Sequence, residues 1–152
     1  MVNYILSIVV FGDGNNPAPW EGSHWGLAIE RQGGSGRGEL HNVVLIDNDR
    51  KWYQYEMRDD VTILNLNSEG KFWIAILSEQ QKRDAVKVIS KEAPPRDGKK
   101  GCQDWVMDCL FALETNEPAL IPDGTSQFVY GLVRTPASNI AKQAGERWEP
   151  RA

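Results

Sequence analysis

The chemistry this chain offers rests on three side chains: His24 in Ser-His-Trp-Gly-Leu-Ala-Ile, His41 in Glu-Leu-His-Asn-Val-Val and Cys102 in Gly-Cys-Gln-Asp-Trp-Val. His24 and His41 are the only two histidines. Each falls in a run that reads as a strand, and Cys102 opens an amphipathic helix. A thiol at a helix N-terminus sits beside unpaired backbone N–H groups, which favour the thiolate and can also hold an oxyanion. His24 begins its strand with the small residues Gly26 and Ala28 on the same face, leaving space for a helix or a substrate. Cys102 is therefore the expected nucleophile, His24 the base and His41 the residue that orients it. Gly101 and Gln103 beside the thiol, and Trp20 and Trp25 beside His24, are the expected substrate contacts. Cys109, further along the same helix face, reads as a packing residue.

The bulk composition narrows the setting. The chain has 152 residues, 41% hydrophobic and 25% charged, with a formal charge of -4. That is enough chain for a single packed domain, and too little basic charge for a nucleic-acid partner. Two cysteines make no disulfide framework. Two helical turns separate them, about 10 Å of rise, too far to bridge within an intact helix. Free thiols suit a reducing compartment, so a cytoplasmic location is expected. The apolar N-terminal run lacks a basic flank and reads as a strand, not a signal peptide, and no run is long enough to span a membrane. No metal site and no cofactor is expected, because the cysteines lack the short spacing of zinc ligands.

Positioning these groups falls to a set of strands followed by helices. Strands are expected over 3–11, 24–31, 39–46, 51–57, 61–66, 71–77 and 127–133. Ser78 is expected to cap a helix over 79–91, with Gln81 in the reciprocal position. The Cys102 helix should run to about 114, and a short helix over 138–146 should precede a polar tail. Residues 1–147 then form one α+β domain, an antiparallel sheet with helices packed on it, and 148–152 form the tail. The glycine-rich stretch 33–38 supplies a hairpin. Centred near Ser35, it places His24 opposite Asp47 and His41 opposite Glu30, which makes Asn42 and Asp47 rivals to His41 as third member.

The His24–Ile29 run, the glycine-rich hairpin, Leu40–Val44 and Gly101–Val106 together resemble the permuted papain-like fold. The lecithin:retinol acyltransferase-like proteins share its His, His, Cys order. The chain also looks like short fungal proteins with His-Trp and Cys-Gln-Asp-Trp runs. The resemblance implies His24 as base, His41 as third polar member and Cys102 as nucleophile. Gly101 stands where that family has Asn, and Gln103-Asp104 where it has Glu-His.

The leading expectation is a cysteine enzyme working through an acyl-enzyme on a small-molecule or peptide substrate, as a hydrolase or an acyltransferase. Two other classes use the same residues. One is a non-catalytic binding module of the same fold. The other is an isomerase or cyclase of secondary metabolism that uses the His–Cys pair for proton transfer.

Overall fold

The computed structural model describes residues 1–15 and 22–151. Among them the chain runs β1 (Asn3–Phe11), β2 (His24–Arg31), β3 (Arg37–Asp47), β4 (Trp52–Thr62) and β5 (Ser68–Ser78). Then follow α1 (Glu79–Lys91), α2 (Cys102–Thr115), α3 (Thr125–Tyr130), α4 (Ala137–Ala144) and β6 (Trp148–Pro150). The strands form one antiparallel sheet in the order β4-β3-β2-β1-β5-β6. The architecture is α+β, as expected.

Alternation along the strands sends Leu6, Ile8 and Val10 of β1, and Trp25, Leu27 and Ile29 of β2, into one core with Phe72 and Ile74 of β5. The helices cover that face with Ala85 and Ile89 of α1 and with Trp105, Val106, Cys109, Leu110 and Leu113 of α2. A helix the length of α2 is marginal alone in water. Each buried Leu or Ile contributes about 1.5–3 kcal/mol, so packing on the sheet, not local propensity, holds α2. At α1, Ser78 and Gln81 form the expected reciprocal cap.

The opposite face is closed by the chain itself. β4 lies at one edge and β5 beyond β1, so the link between them must cross the sheet. Ile63 in that link packs on Val9 and Ala28 as a second, smaller core, with Phe11, Leu40 and Val61 around it.

Three elements differ from the sequence expectation. The 127–133 segment is helical, not extended: α3 starts after Gly124, held at φ 89°, and Val129 is buried. A short apolar run such as Phe-Val-Tyr fits either period, and here packing against α2 selects the helix. β4 continues through Val61 to Thr62 instead of ending at 57 before a separate 61–66 strand. Finally, Trp148–Pro150 is an edge strand on β5, not a loose tail. A Cβ at Gly70 would come within 2.3 Å of the Trp148 ring, so only glycine lets that ring lie on the strand.

The β2–β3 register also differs, and the difference decides the site. Leu27 pairs with His41 and Glu30 with Gly38, whereas a hairpin centred near Ser35 sets His41 opposite Glu30. The offset is odd, and an odd slip exchanges the faces of every side chain. His41 therefore shares the helix-facing side with Leu27, and Asn42 shares the other side with His24.

Candidate functional site

Pairing between β2 and β3 ends at Leu27 and His41, while β3 continues against β4 to Asp47. The N-terminus of α2 enters beside this break. Cys102 Sγ lies 3.9 Å from the Ser23 carbonyl oxygen, and the backbone N–H groups of Trp25, Gln103 and Cys102 act on the sulfur. The thiol thus meets the stretch of β2 that carries His24, because the apolar face of α2 must dock on β2 and its first turn then reaches the strand's start.

Gln103 fastens this junction. Its Nε2 donates to Ser23 O at 2.7 Å, and its Oε1 accepts the Arg134 N–H at 2.7 Å. Gly22 is held at φ 64°, and a Cβ there would meet Gln103 Nε2 at 2.8 Å. Asp104 closes the first turn by accepting the Gly101 N–H at 2.8 Å, and its Oδ2 is 3.6 Å from Arg134 Nη2.

His24 and Cys102 line one cavity of about 660 Å³, with Val43, Val44, Leu45 and Tyr53 on its β3–β4 side. Beside it, His24 Nε2 lies 3.2 Å from Asn42 Nδ2, and the ring tilts against Phe11 at 5.5 Å between centroids. Which end of the Asn42 amide meets Nε2 decides the tautomer of the imidazole. With Nδ2 on Nε2, the ring proton sits on Nδ1; with Oδ1 there, Nε2–H donates and Nδ1 is left as the basic nitrogen. Gly26 lets Asn42 lie this close, since a Cβ there would be 3.3 Å from the Asn42 Cβ.

Burial pushes the Cys102 thiol up from its usual value, more than the three N–H groups pull it down, and Asp104 adds to the rise. Burial also lowers His24. Near neutral pH both groups are therefore uncharged. The helix terminus alone would favour a thiolate; the N–H groups are in place, but desolvation outweighs them.

His41 is placed elsewhere. It is fully buried on the helix side, with Nδ1 2.7 Å from Tyr55 Oη and Nε2 3.3 Å from Glu39 Oε1, and Lys82 holds Glu39 from above at 2.7 Å. Tyr55, raised to about 12 mainly by burial, stacks on His41 and tilts against Trp105. His41 is a core histidine in this arrangement and does not line the cavity. Asp47 is also spent locally, accepting the N–H groups of Asp49 and Arg50. Of the three rivals, only Asn42 bonds His24 among the described residues.

Of the expected substrate contacts, Gly101 and Gln103 line the cavity. Trp25 is 1% exposed and packs in the helix-side core. Trp20 lies outside the described residues. Cys109 is buried, and its thiol is pushed up by burial and by Glu92 and Asp108. Tyr53 and Arg134 also line the cavity and were not legible from the sequence. Arg134 gave no signal, because the segment before it was read as a strand. Among the described residues no cluster of potential metal ligands occurs.

These shifts set a pH window for stability. His24 and His41 are lowered, so the unfolded chain binds protons that the fold resists, and stability is lost as pH falls below about 6.5. Cys102 and Cys109 are raised, so the unfolded chain gives up protons first, and stability is lost as pH rises above 9.0. Thermal midpoints measured from pH 4 to 11 should show a plateau between those limits. In a His41→Gln variant the acid-side slope should be shallower, while the alkaline side is unchanged.

Compared with known proteins, the chain matches no family model, no curated protein and no solved structure.

Proposed function

We propose that the cavity is a thiol site for acyl transfer, with Cys102 as nucleophile, His24 as base and Asn42 as the group that orients His24. One observation carries the reading: the helix-terminal thiol and an imidazole held by an amide share a single cavity at the break between β2 and β3. The resemblance of the His24, hairpin and Cys102 runs to permuted papain-like proteins supports it from the sequence side.

Because both groups start neutral, the proton moves as the bond forms. Cys102 Sγ attacks the acyl carbon while His24 takes the thiol proton, through Nδ1 when Asn42 Oδ1 accepts from Nε2–H. First-turn N–H groups of α2 take up charge on the carbonyl oxygen. The bond to the leaving group breaks, and that group carries away the proton from His24. Water, or another acceptor, then attacks the thioester with His24 again as base, which restores the thiol.

The test is the pH dependence of iodoacetamide labelling, mapped to the Cys102 peptide. In the wild type, labelling should rise as His24 loses its proton, below pH 6.5, level off, and rise again above pH 9.0 as the thiol ionises. In His24→Ala only the upper rise should remain, above pH 9.0, where the raised thiol ionises by itself. Identical profiles in the two proteins would remove His24 from the mechanism.

A further inference from the structure

A second cavity adjoins the first. It holds about 650 Å³ between α2 and α3, and Lys100, Asp104 and Arg134 line both. Met107, Phe111, Tyr130 and Val133 give it an apolar wall of its own. We infer that the thiol site acts on peptide chains, and that this second cavity seats an apolar side chain of the acyl part about three residues from the reacting carbonyl. The inference deepens the acyl-transfer reading, and rests on it for the place of that carbonyl.

Packing elsewhere leaves this wall open. α2 turns Val106, Cys109, Leu110 and Leu113 into the core, which puts Phe111 on its outer side, 63% exposed. Val129 of α3 and Leu132 after it are buried, so Tyr130 between them is turned out, 72% exposed. Glu114 ties the two helices together by accepting the Ser126 N–H at 2.9 Å. Two exposed rings in one groove, with Met107 and Val133, form an apolar patch joined to a reactive cavity.

Which part of the substrate lies there follows from the proton. The leaving group takes its proton from His24, and among the described residues His24 lines the first cavity but not the second. The acyl part, bonded to sulfur, therefore runs the other way. Met107 and Phe111 stand five and nine residues beyond Cys102, rises of about 7.5 and 13.5 Å along the helix. An extended chain advances about 3.3 Å per residue, so its third residue falls between them.

The junction of the two cavities selects the chemistry of the chain. Asp104 is 3.6 Å from Arg134 and Asp108 is 3.7 Å from Lys100, so the passage between the two apolar walls is bordered by ion pairs. An alkyl chain crossing it would strip water from these groups and return no hydrogen bond. A peptide crosses with its amide N–H and C=O groups and still brings a side chain to the far wall.

Two measurements test this. The first is the ratio of kcat/KM for the p-nitrophenyl ester of acetyl-Phe-Gly-Gly to that for the ester of acetyl-Gly-Gly-Gly. Burial of one ring should make it about ten in the wild type. It should fall to about two or less in Phe111→Ser and in Tyr130→Ser, and as a ratio within each protein it does not depend on the folded fraction. A wild-type ratio near one, or the same ratio in all three proteins, overturns the inference. An equal gain of p-nitrophenyl decanoate over the acetate ester, lost in the same two variants, overturns the peptide assignment.

The second measurement does not need a reactive thiol. In Cys102→Ser, calorimetric titration with the two peptides as C-terminal amides should give a Kd about tenfold lower for acetyl-Phe-Gly-Gly. Adding Phe111→Ser should remove that difference. Equal affinities overturn the inference. Should the wild type turn over neither ester, the nucleophile reading fails, while the titration still decides what the second cavity holds.

Discussion

Gln103→Leu is expected to destabilise the protein by about 3 kcal/mol, or roughly 10 °C in Tm, with little change in side-chain volume. Gln103 is 4% exposed and satisfies two backbone groups, the Ser23 carbonyl and the Arg134 N–H. Leucine fills the same space and leaves both unpaired, and each buried orphan costs about 1–3 kcal/mol. Gln103→Glu keeps an acceptor for Arg134 N but loses the donor to Ser23 O, so its loss should fall between wild type and leucine. Urea denaturation of the three proteins checks the order. A leucine variant as stable as wild type would mean that the junction between α2 and β2 is held by packing alone.

The larger effect on activity belongs to His24. His24→Ala should lower turnover of an activated ester by about 10²–10⁴, the usual contribution of a positioned base. Asn42→Ala should cost less, about tenfold, since it frees the ring without removing it, and Asn42→Asp should recover part of that loss by accepting from Nε2–H. His41→Gln should leave turnover within a few-fold of wild type, because His41 faces the core with Tyr55 and Glu39. Thermal midpoints of each variant separate a fall in turnover from a fall in folded protein. A His41 variant as inactive as His24→Ala, yet equally stable, would reverse the assignment of the two histidines.

The α+β class was legible in the sequence because β1, β2 and the α1 cap carry strong local signals: continuous apolar runs and a Ser-x-x-Gln box. The pairing of Cys102 with the start of β2 was legible too, since the apolar face of α2 required a sheet and left its first turn at the strand's end. The third member was not. It depends on hairpin register, and Gly33 to Gly38 fits several turn lengths with little preference. Shifting β3 by three positions against β2 exchanges His41 for Asn42 beside His24, and nothing local in Leu-His-Asn-Val marks which of the two meets that ring. Trp148 was unreadable for another reason: its edge strand is specified by a distant residue, Gly70, which clears room for the ring.

Cys102 as the nucleophile and His24 as its base can be tested together. Rapid mixing with p-nitrophenyl acetate, followed by acid quench and peptide mass mapping, is the most direct test. The expected result is a burst of nitrophenol approaching one equivalent, with the acetyl group on the Cys102 peptide, absent in Cys102→Ala and strongly slowed in His24→Ala. Acetyl found on Cys109 or on surface lysines, with no burst and no effect of either substitution, would contradict both roles.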